Sequence, residues 1–219
     1  MAWGTYRIPE SKLRLLGPLR GRRILELGCG AARWSIALAK HGARPVGIDL
    51  SIEQLRRARE LKDRSRQRFP IVHGSAERLP FRAGIFDVVF CDFGAMTFAN
   101  PHATIPEVAR VLRRGGSFVF VTSSRWRLTA LDVPSDRQVR RLVRPYFGKE
   151  RVQFGVPSTI EFHPTYSGWI DLFRAHGLRI ERLIEPRPTP GLRTTYLSRA
   201  DVKWGRSWPL EVIWKVVRE

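Results

Sequence analysis

Cysteine is nearly absent from this chain, with Cys29 and Cys91 the only two among 219 residues. So few thiols exclude a disulfide framework and a cysteine-rich metal site, and both are expected to be reduced. Long apolar runs are missing as well. No stretch approaches the ~20 apolar residues of a membrane span, and the opening "MAWGTYRIPESK" has no signal-peptide core, so a cytoplasmic protein with no membrane partner is expected. Acids are scarce, 20 against 39 Lys and Arg, for a net charge of +19. Lysine is scarcer still, at 6 residues against 33 arginines, and the arginines run along the whole chain. An excess of this size raises nucleic acid as a partner. Its even spread fits an arginine-rich composition better than a localised footprint, which leaves nucleic acid as the lesser alternative.

What is present is a regular alternation. Apolar runs at 23–27 (RILEL), 45–49 (PVGID), 70–74 (PIVHG), 86–91 (FDVVFC) and 117–122 (SFVFVT) read as strands, with helical patterns between several of them. This is the βαβ rhythm of a parallel sheet covered on both faces. The first helix presents Trp34, Ala37 and Leu38 on one side. The second opens at Ser51, with Gln54 completing a capping box, and turns Ile52, Leu55, Ala58 and Leu61 inward. A third, "IPEVARVLRRGG", is expected to stop at Gly115 and Gly116. After 122 the rhythm breaks, and 123–165 read as a lid insertion with a short helical hint near "SDRQVRRLVRPYF". "YSGWIDLFRAHG" restores a helix with Trp169, Ile170 and Phe173 inward, and "LRIERLI" and "LEVIWKVVRE" complete seven strands. The expectation is a single α/β domain: a cap segment at 1–21, a ligand-binding half at 22–122, the lid at 123–165, and the rest of the sheet at 166–219.

The glycine turn after the first strand indicates a ligand. Gly28-Cys29-Gly30 brings backbone amides and a helix N-terminus close to whatever binds, because glycine has no Cβ to block the approach. Asp49 ends the next strand, 21 residues after Gly28, where a carboxylate can accept from both hydroxyls of a ribose. Strand, turn, helix, strand and terminal acid in that order imply a nucleoside-bearing cofactor. A dinucleotide is disfavoured because the third glycine of G-x-G-x-x-G is Arg33, and a phosphate loop is excluded because no Lys-Ser/Thr pair follows.

"ELGCGAARWS" followed by "GIDLS" resembles motif I and the following acidic strand end of class I S-adenosylmethionine-dependent methyltransferases. "GSAERLPFRAGIFDVVFCDFGAMTF" and "EVARVLRRGGSFVFVT" are similar to later stretches of that superfamily. The resemblance implies a doubly wound, Rossmann-like sheet of seven mostly parallel strands with an antiparallel last strand, and S-adenosyl-L-methionine as cofactor. It also implies roles residue by residue. Glu26 would meet the methionyl amino end or order the loop, and the backbone of Gly28, Cys29 and Gly30 would pass beneath the cofactor. Asp49 would bind the ribose, Leu50 would lie on the adenine face, and Ser75 and Ala76 would sit at its edge. Asp92 and Phe93 would reach the methyl-transfer zone. Two positions depart from the pattern: Ala32 replaces the third glycine of G-x-G-x-G, and Ser75 replaces the acid that commonly accepts from the adenine amino group.

Methyl transfer is an in-line displacement that mainly requires positioning, so a base is optional. Of the five histidines, His41 and His176 each precede a glycine near a helix end, and His73 ends the third strand. His102 and His163 remain, and His163, leading from the lid back to the core, is the candidate base. Trp3, Tyr6, Trp126, Tyr146, Phe147, Phe154, Phe162 and Tyr166 flank the core at its N-terminus and along the lid. An aromatic, arginine-bearing cap suits a small organic acceptor. Asp92 stands alone after the fourth strand, so no metal is expected. The leading expectation is a small-molecule methyltransferase, and the alternatives are an RNA methyltransferase and a non-catalytic S-adenosylmethionine-binding protein. The acceptor, the methylated atom and the oligomeric state stay open.

Overall fold

In a computed structural model, which describes residues 1–132, 137–154, 159–192 and 194–219, the seven expected strands form one sheet. They are β1 (Arg23–Leu27), β2 (Arg44–Asp49), β3 (Ile71–His73), β4 (Phe86–Asp92), β5 (Leu112–Ser123), β6 (Leu178–Ile184) and β7 (Glu211–Arg218), in spatial order β6-β7-β5-β4-β1-β2-β3. β1 pairs in parallel with β2 and β4, and β7 is antiparallel to both β5 and β6. Burial on both faces explains the near-continuous apolar runs. Ile24, Val88, Phe90, Val119 and Ile213 pack into one core layer, whereas Leu25, Val89, Phe118, Phe120 and Trp214 pack into the other, the period-two alternation of a pleated strand.

Helices α1 (Arg33–Lys40), α2 (Ile52–Arg64), α3 (Gly94–Phe98), α4 (Pro101–Val111), α5 (Arg125–Thr129), α6 (Tyr166–Ala175) and α7 (Arg199–Gly205) accompany the sheet. Ser51 caps α2 by accepting from Gln54 N–H, and Leu55 and Ala58 face inward. Ile52 does not: at the first helical position, beside the rim of a cleft, it is half exposed. The end of α4 also differs from expectation. The helix stops at Val111, and Leu112 already pairs with Phe86. The next pair is Val88 with Ser117, so Gly115, at φ +69°, serves an irregularity inside β5 instead of a helix cap. No helix forms among the described residues of the "SDRQVRRLVRPYF" stretch, where Arg137–Gln138 pairs with Leu131–Asp132. Arg137, Arg140, Arg141 and Arg144 would set like charges one turn apart in a helix, and Pro145 would end it. Residues 133–136 and 155–158 of the expected lid lie outside the described residues. α7 was not anticipated, although Ser198 and Asp201 form a full capping box at its start.

The N-terminus is a strap. Ala2–Trp3 pairs with Ile8–Pro9, and the buried Trp3 donates its indole N–H to Glu10 Oε2 at 2.6 Å while packing on Trp34 and Phe90. Trp3 and Tyr6 are therefore core residues and present no aromatic face to an acceptor. No described helix is long and apolar enough to cross a membrane.

Candidate active site

Strand order reverses between β1 and β4, and in an open α/β sheet the crevice at the carboxyl ends of such strands is where ligands bind. Two cavities open there. The first, of about 540 Å³, is bordered by Gly28 and Gly30 after β1, Asp49 and Leu50 after β2, and Ser75 and Ala76 after β3. Gly28 has φ +64°, and a Cβ on it would stand 2.3 Å from the backbone nitrogen of Ala95, so only glycine fits. The Asp49 carboxylate is held by two amides: Oδ2 accepts from Gly30 N–H at 2.7 Å and Oδ1 from Ser51 N–H at 2.8 Å. Leu50 is 70% exposed, an apolar surface over which a flat ring can lie. Ser75 Oγ accepts from Glu77 N–H, and Glu77, also on the wall, accepts from Asn100 N–H through Oε1.

The second cavity, about 530 Å³, has Trp34, Asp92, Phe93, Thr97, Arg127 and Glu161 on its wall. Phe98 borders both cavities. The Asp92 carboxylate is spoken for: Oδ1 accepts from Gly4 N–H of the strap at 2.9 Å and Oδ2 from the Trp34 indole at 3.2 Å. Burial pushes its carboxyl above the ordinary range. Phe93 sits at φ +64° and turns the chain from β4 into α3.

Three candidate residues stand behind these walls. Glu26 is buried beneath the glycine turn, where Oε2 accepts from both the backbone N–H and the hydroxyl of Ser35, and burial pushes its carboxyl up to about 8. That contact ties β1 to the first turn of α1. Cys29 does not border the first cavity; its thiol packs with Ala32, Leu55 and Ala58 and donates to Gly30 O at 3.8 Å, and burial raises its pKa. Ala32 itself takes the left-handed conformation, φ +53°, that its position requires. His163 is 5% exposed and off the cavity wall. Its Nε2 lies 3.0 Å from Glu161 Oε2, and Glu161 is the one of the two that borders the cavity. The i, i+2 spacing at a strand end was the available signal for Glu161.

The other histidines are accounted for locally. His41 and His176 cap α1 and α6, His73 Nε2 meets Leu50 O, and His102 pairs with Glu150. A second residue not found from sequence is Arg125. Buried at 2% exposure, its guanidinium donates to the carbonyls of Tyr146, Gly148 and His163 and so gathers three points of the lid. The lid strand Thr159–Phe162 then packs against α3.

The first cavity fits a nucleoside: its volume suits a small ligand, glycine allows close backbone approach, and a carboxylate stands at a strand end. Residues 25–120 match the family described as Methyltransferase domain. A demethylmenaquinone methyltransferase of Anoxybacillus flavithermus is 31% identical over 182 residues, covering 77% of this chain and 74% of that protein. The enzyme of the same description from Staphylococcus saprophyticus is 33% identical over 136 residues, and there the match spans 59% of this chain and 56% of the relative. The fold is shared with the crystal structure of an S-adenosylmethionine dependent methyltransferase from Mesorhizobium loti, at a TM-score of 0.76 and 21% identity, over 95% of this chain and 96% of that one.

Proposed function

The chain belongs to the class I S-adenosylmethionine-dependent methyltransferases, and we propose that it methylates a small organic acceptor held in the cavity between strap and lid. The observation that carries this reading is the second cavity itself, comparable in volume to the cofactor cleft and meeting it at Phe98. Two relatives are described as demethylmenaquinone methyltransferases, a description that names a small-molecule acceptor and not a polynucleotide.

Bound S-adenosylmethionine supplies a methyl group on a positively charged sulfur. The chain's task is to align the partners and keep water out. Asp49, already oriented by two amides, accepts from the ribose hydroxyls. Leu50 lies against the adenine, and Ser75, Ala76 and Glu77 border its edge. Gly28 and Gly30 let the cofactor approach the backbone, and of the two roles considered for Glu26 the contact with Ser35 supports ordering of that loop. Asp92 and Phe93 form the boundary with the acceptor cavity. Where the acceptor loses a proton, Glu161 is the group on the wall that takes it, with His163 as a positioning residue behind it.

Isothermal titration with S-adenosylhomocysteine tests the cofactor half, and absence of binding defeats the reading. Methyl incorporation from labelled cofactor into fractions of a cell extract tests the acceptor half. Label in a small-molecule fraction supports the proposal. Label in RNA, the reading suggested by the net charge of +19, overturns it, and no label in any fraction leaves only a binding protein.

A further inference from the structure

A third cavity, about 750 Å³, lies beside the acceptor site and is bordered by Arg7, Arg199, Lys203 and Arg206. Arg7 stands on the wall of both this cavity and the acceptor cavity. The strap fixes it there: Gly4 N–H is held by Asp92, Thr5 N–H and hydroxyl by the buried Glu211, and Arg7 N–H closes the turn onto Gly4 O. The other three cations come from one face of α7 and its end, at spacing i, i+4, i+7, which brings their side chains to one side of the helix. The only acid of α7, Asp201, is turned onto Ser198 in the capping box. Among the described residues, none of the four cations forms an ion pair. Most described arginines are likewise without a carboxylate partner, Arg56, Arg110, Arg113 and Arg179 being exceptions; what sets these four cations apart is that they border one cavity. The floor is apolar, from Leu192, Leu197 and Val202.

Arg199, Lys203 and Arg206, together with Arg7, whose charge also acts on Asp92, focus around one concavity a positive potential that a convex surface with the same charges would not. Two or more negative charges on a compact group match them better than a single carboxylate does. We propose that this cavity is the anion subsite for a phosphate or diphosphate ester, and that the ester belongs to the acceptor, its organic part passing Arg7 into the methyl-transfer cavity. The inference rests on the small-molecule reading above and names the substrate class.

The test is titration of inorganic pyrophosphate into the full chain at ~0.15 M salt, where exposed, scattered charges are largely screened. The native chain is expected to bind pyrophosphate. Arg199→Gln with Lys203→Gln is expected to weaken it at least tenfold, while Arg57→Gln with Arg64→Gln, the same charge change on exposed positions of α2, leaves it within twofold. S-adenosylhomocysteine affinity, read on every variant, is expected to stay within twofold and reports that each is folded. Absence of pyrophosphate binding, or equal weakening by both double variants, overturns the subsite. A single-stranded RNA that binds and that pyrophosphate does not displace also overturns it, in favour of a polynucleotide. Pyrophosphate binding without S-adenosylhomocysteine binding by the native chain would remove the proposed function and leave the anion site standing.

Discussion

Gly30 donates its backbone N–H to Asp49 Oδ2 across 2.7 Å, fastening the turn after β1 to the end of β2. The other oxygen holds Ser51 N–H, so this carboxylate organises the turn as well as presenting lone pairs to a ligand. Asp49→Asn keeps one acceptor and sets an amide N–H₂ against a backbone donor. Cofactor binding is expected to weaken by roughly 1.5 to 3 kcal/mol, about tenfold to a hundredfold in affinity for S-adenosylhomocysteine by titration. Because a backbone contact is lost too, unliganded stability should fall by about 1 kcal/mol in urea unfolding. Unchanged affinity in the folded variant would remove Asp49 from the site.

Gly28→Ala asks whether the turn tolerates a side chain. The left-handed φ alone costs about 1 to 2 kcal/mol for alanine, and its Cβ would also stand 2.3 Å from Ala95 N. We expect a loss of more than ~2 kcal/mol in urea unfolding. A variant as stable as the parent would mean that α3 moves away without cost.

Three buried carboxyls set a pH dependence, Glu26, Glu211 and, with a raised value too, Asp92. Burial pushes Glu26 up to about 8 and Glu211 up to about 7, from an ordinary value of 4.5. Between 4.5 and 8 the folded chain therefore holds protons that the unfolded chain has released, and stability falls as pH rises through that window. Asp87 and Glu107, whose pKa values are lowered, act below it. Urea midpoints should decline from pH 5 to pH 8, and Glu26→Gln should flatten the decline. An equally steep decline in that variant would show that Glu26 titrates normally.

Arg125→Lys keeps the charge and loses the fork. A guanidinium reaches the carbonyls of Tyr146, Gly148 and His163 together, whereas an ammonium is a point donor on a flexible stem. The expected cost is on the order of 3 kcal/mol, with faster proteolytic nicking of the lid and unchanged S-adenosylhomocysteine affinity. Nicking at the parental rate would show that the lid is held elsewhere.

For an acceptor that loses a proton, Glu161→Gln is expected to lower turnover about a hundredfold, the lower end of what a positioned base contributes. Cofactor affinity should not change, because Glu161 is absent from the cofactor cavity. His163→Asn should have a smaller effect and shift the pH–rate profile. Full turnover by Glu161→Gln would indicate an acceptor, such as a neutral amine, that needs no base.

The sheet was legible in the residue string because its cause is local. Strands buried on both faces must be apolar throughout, and "RILEL" and "LRIERLI" have the bounds of β1 and β6. The cavity at the glycine turn was legible for a related reason: in a βαβ unit the turn, the helix and the next strand end are brought together by the chain's own right-handed path, so Gly28, Gly30, Asp49 and Leu50 share one wall. Where context overrode pattern, the expectation missed. Gly115 and Gly116 read as a helix stop, but pairing of Leu112 with Phe86 had already begun the strand.

The acceptor side was decided by tertiary structure alone. Its wall joins Gly4, Asp92, Arg127, Glu161 and Tyr196, drawn from the strap, β4, α5, the lid and the loop before α7. No periodicity relates positions so far apart; hydrogen bonds such as Gly4 to Asp92 and Arg125 to the lid carbonyls hold them together. His163 and Glu161 illustrate the limit. Either residue type can hold a proton, only His163 stood out in the sequence, and the packing of the lid determines that Glu161 borders the cavity while His163 is buried behind it. The sequence by itself determined the sheet and the cavity at the glycine turn, because backbone periodicity and chain connectivity suffice for them. The chemistry offered to the acceptor depended on long-range burial, which exists only once the chain has closed on itself.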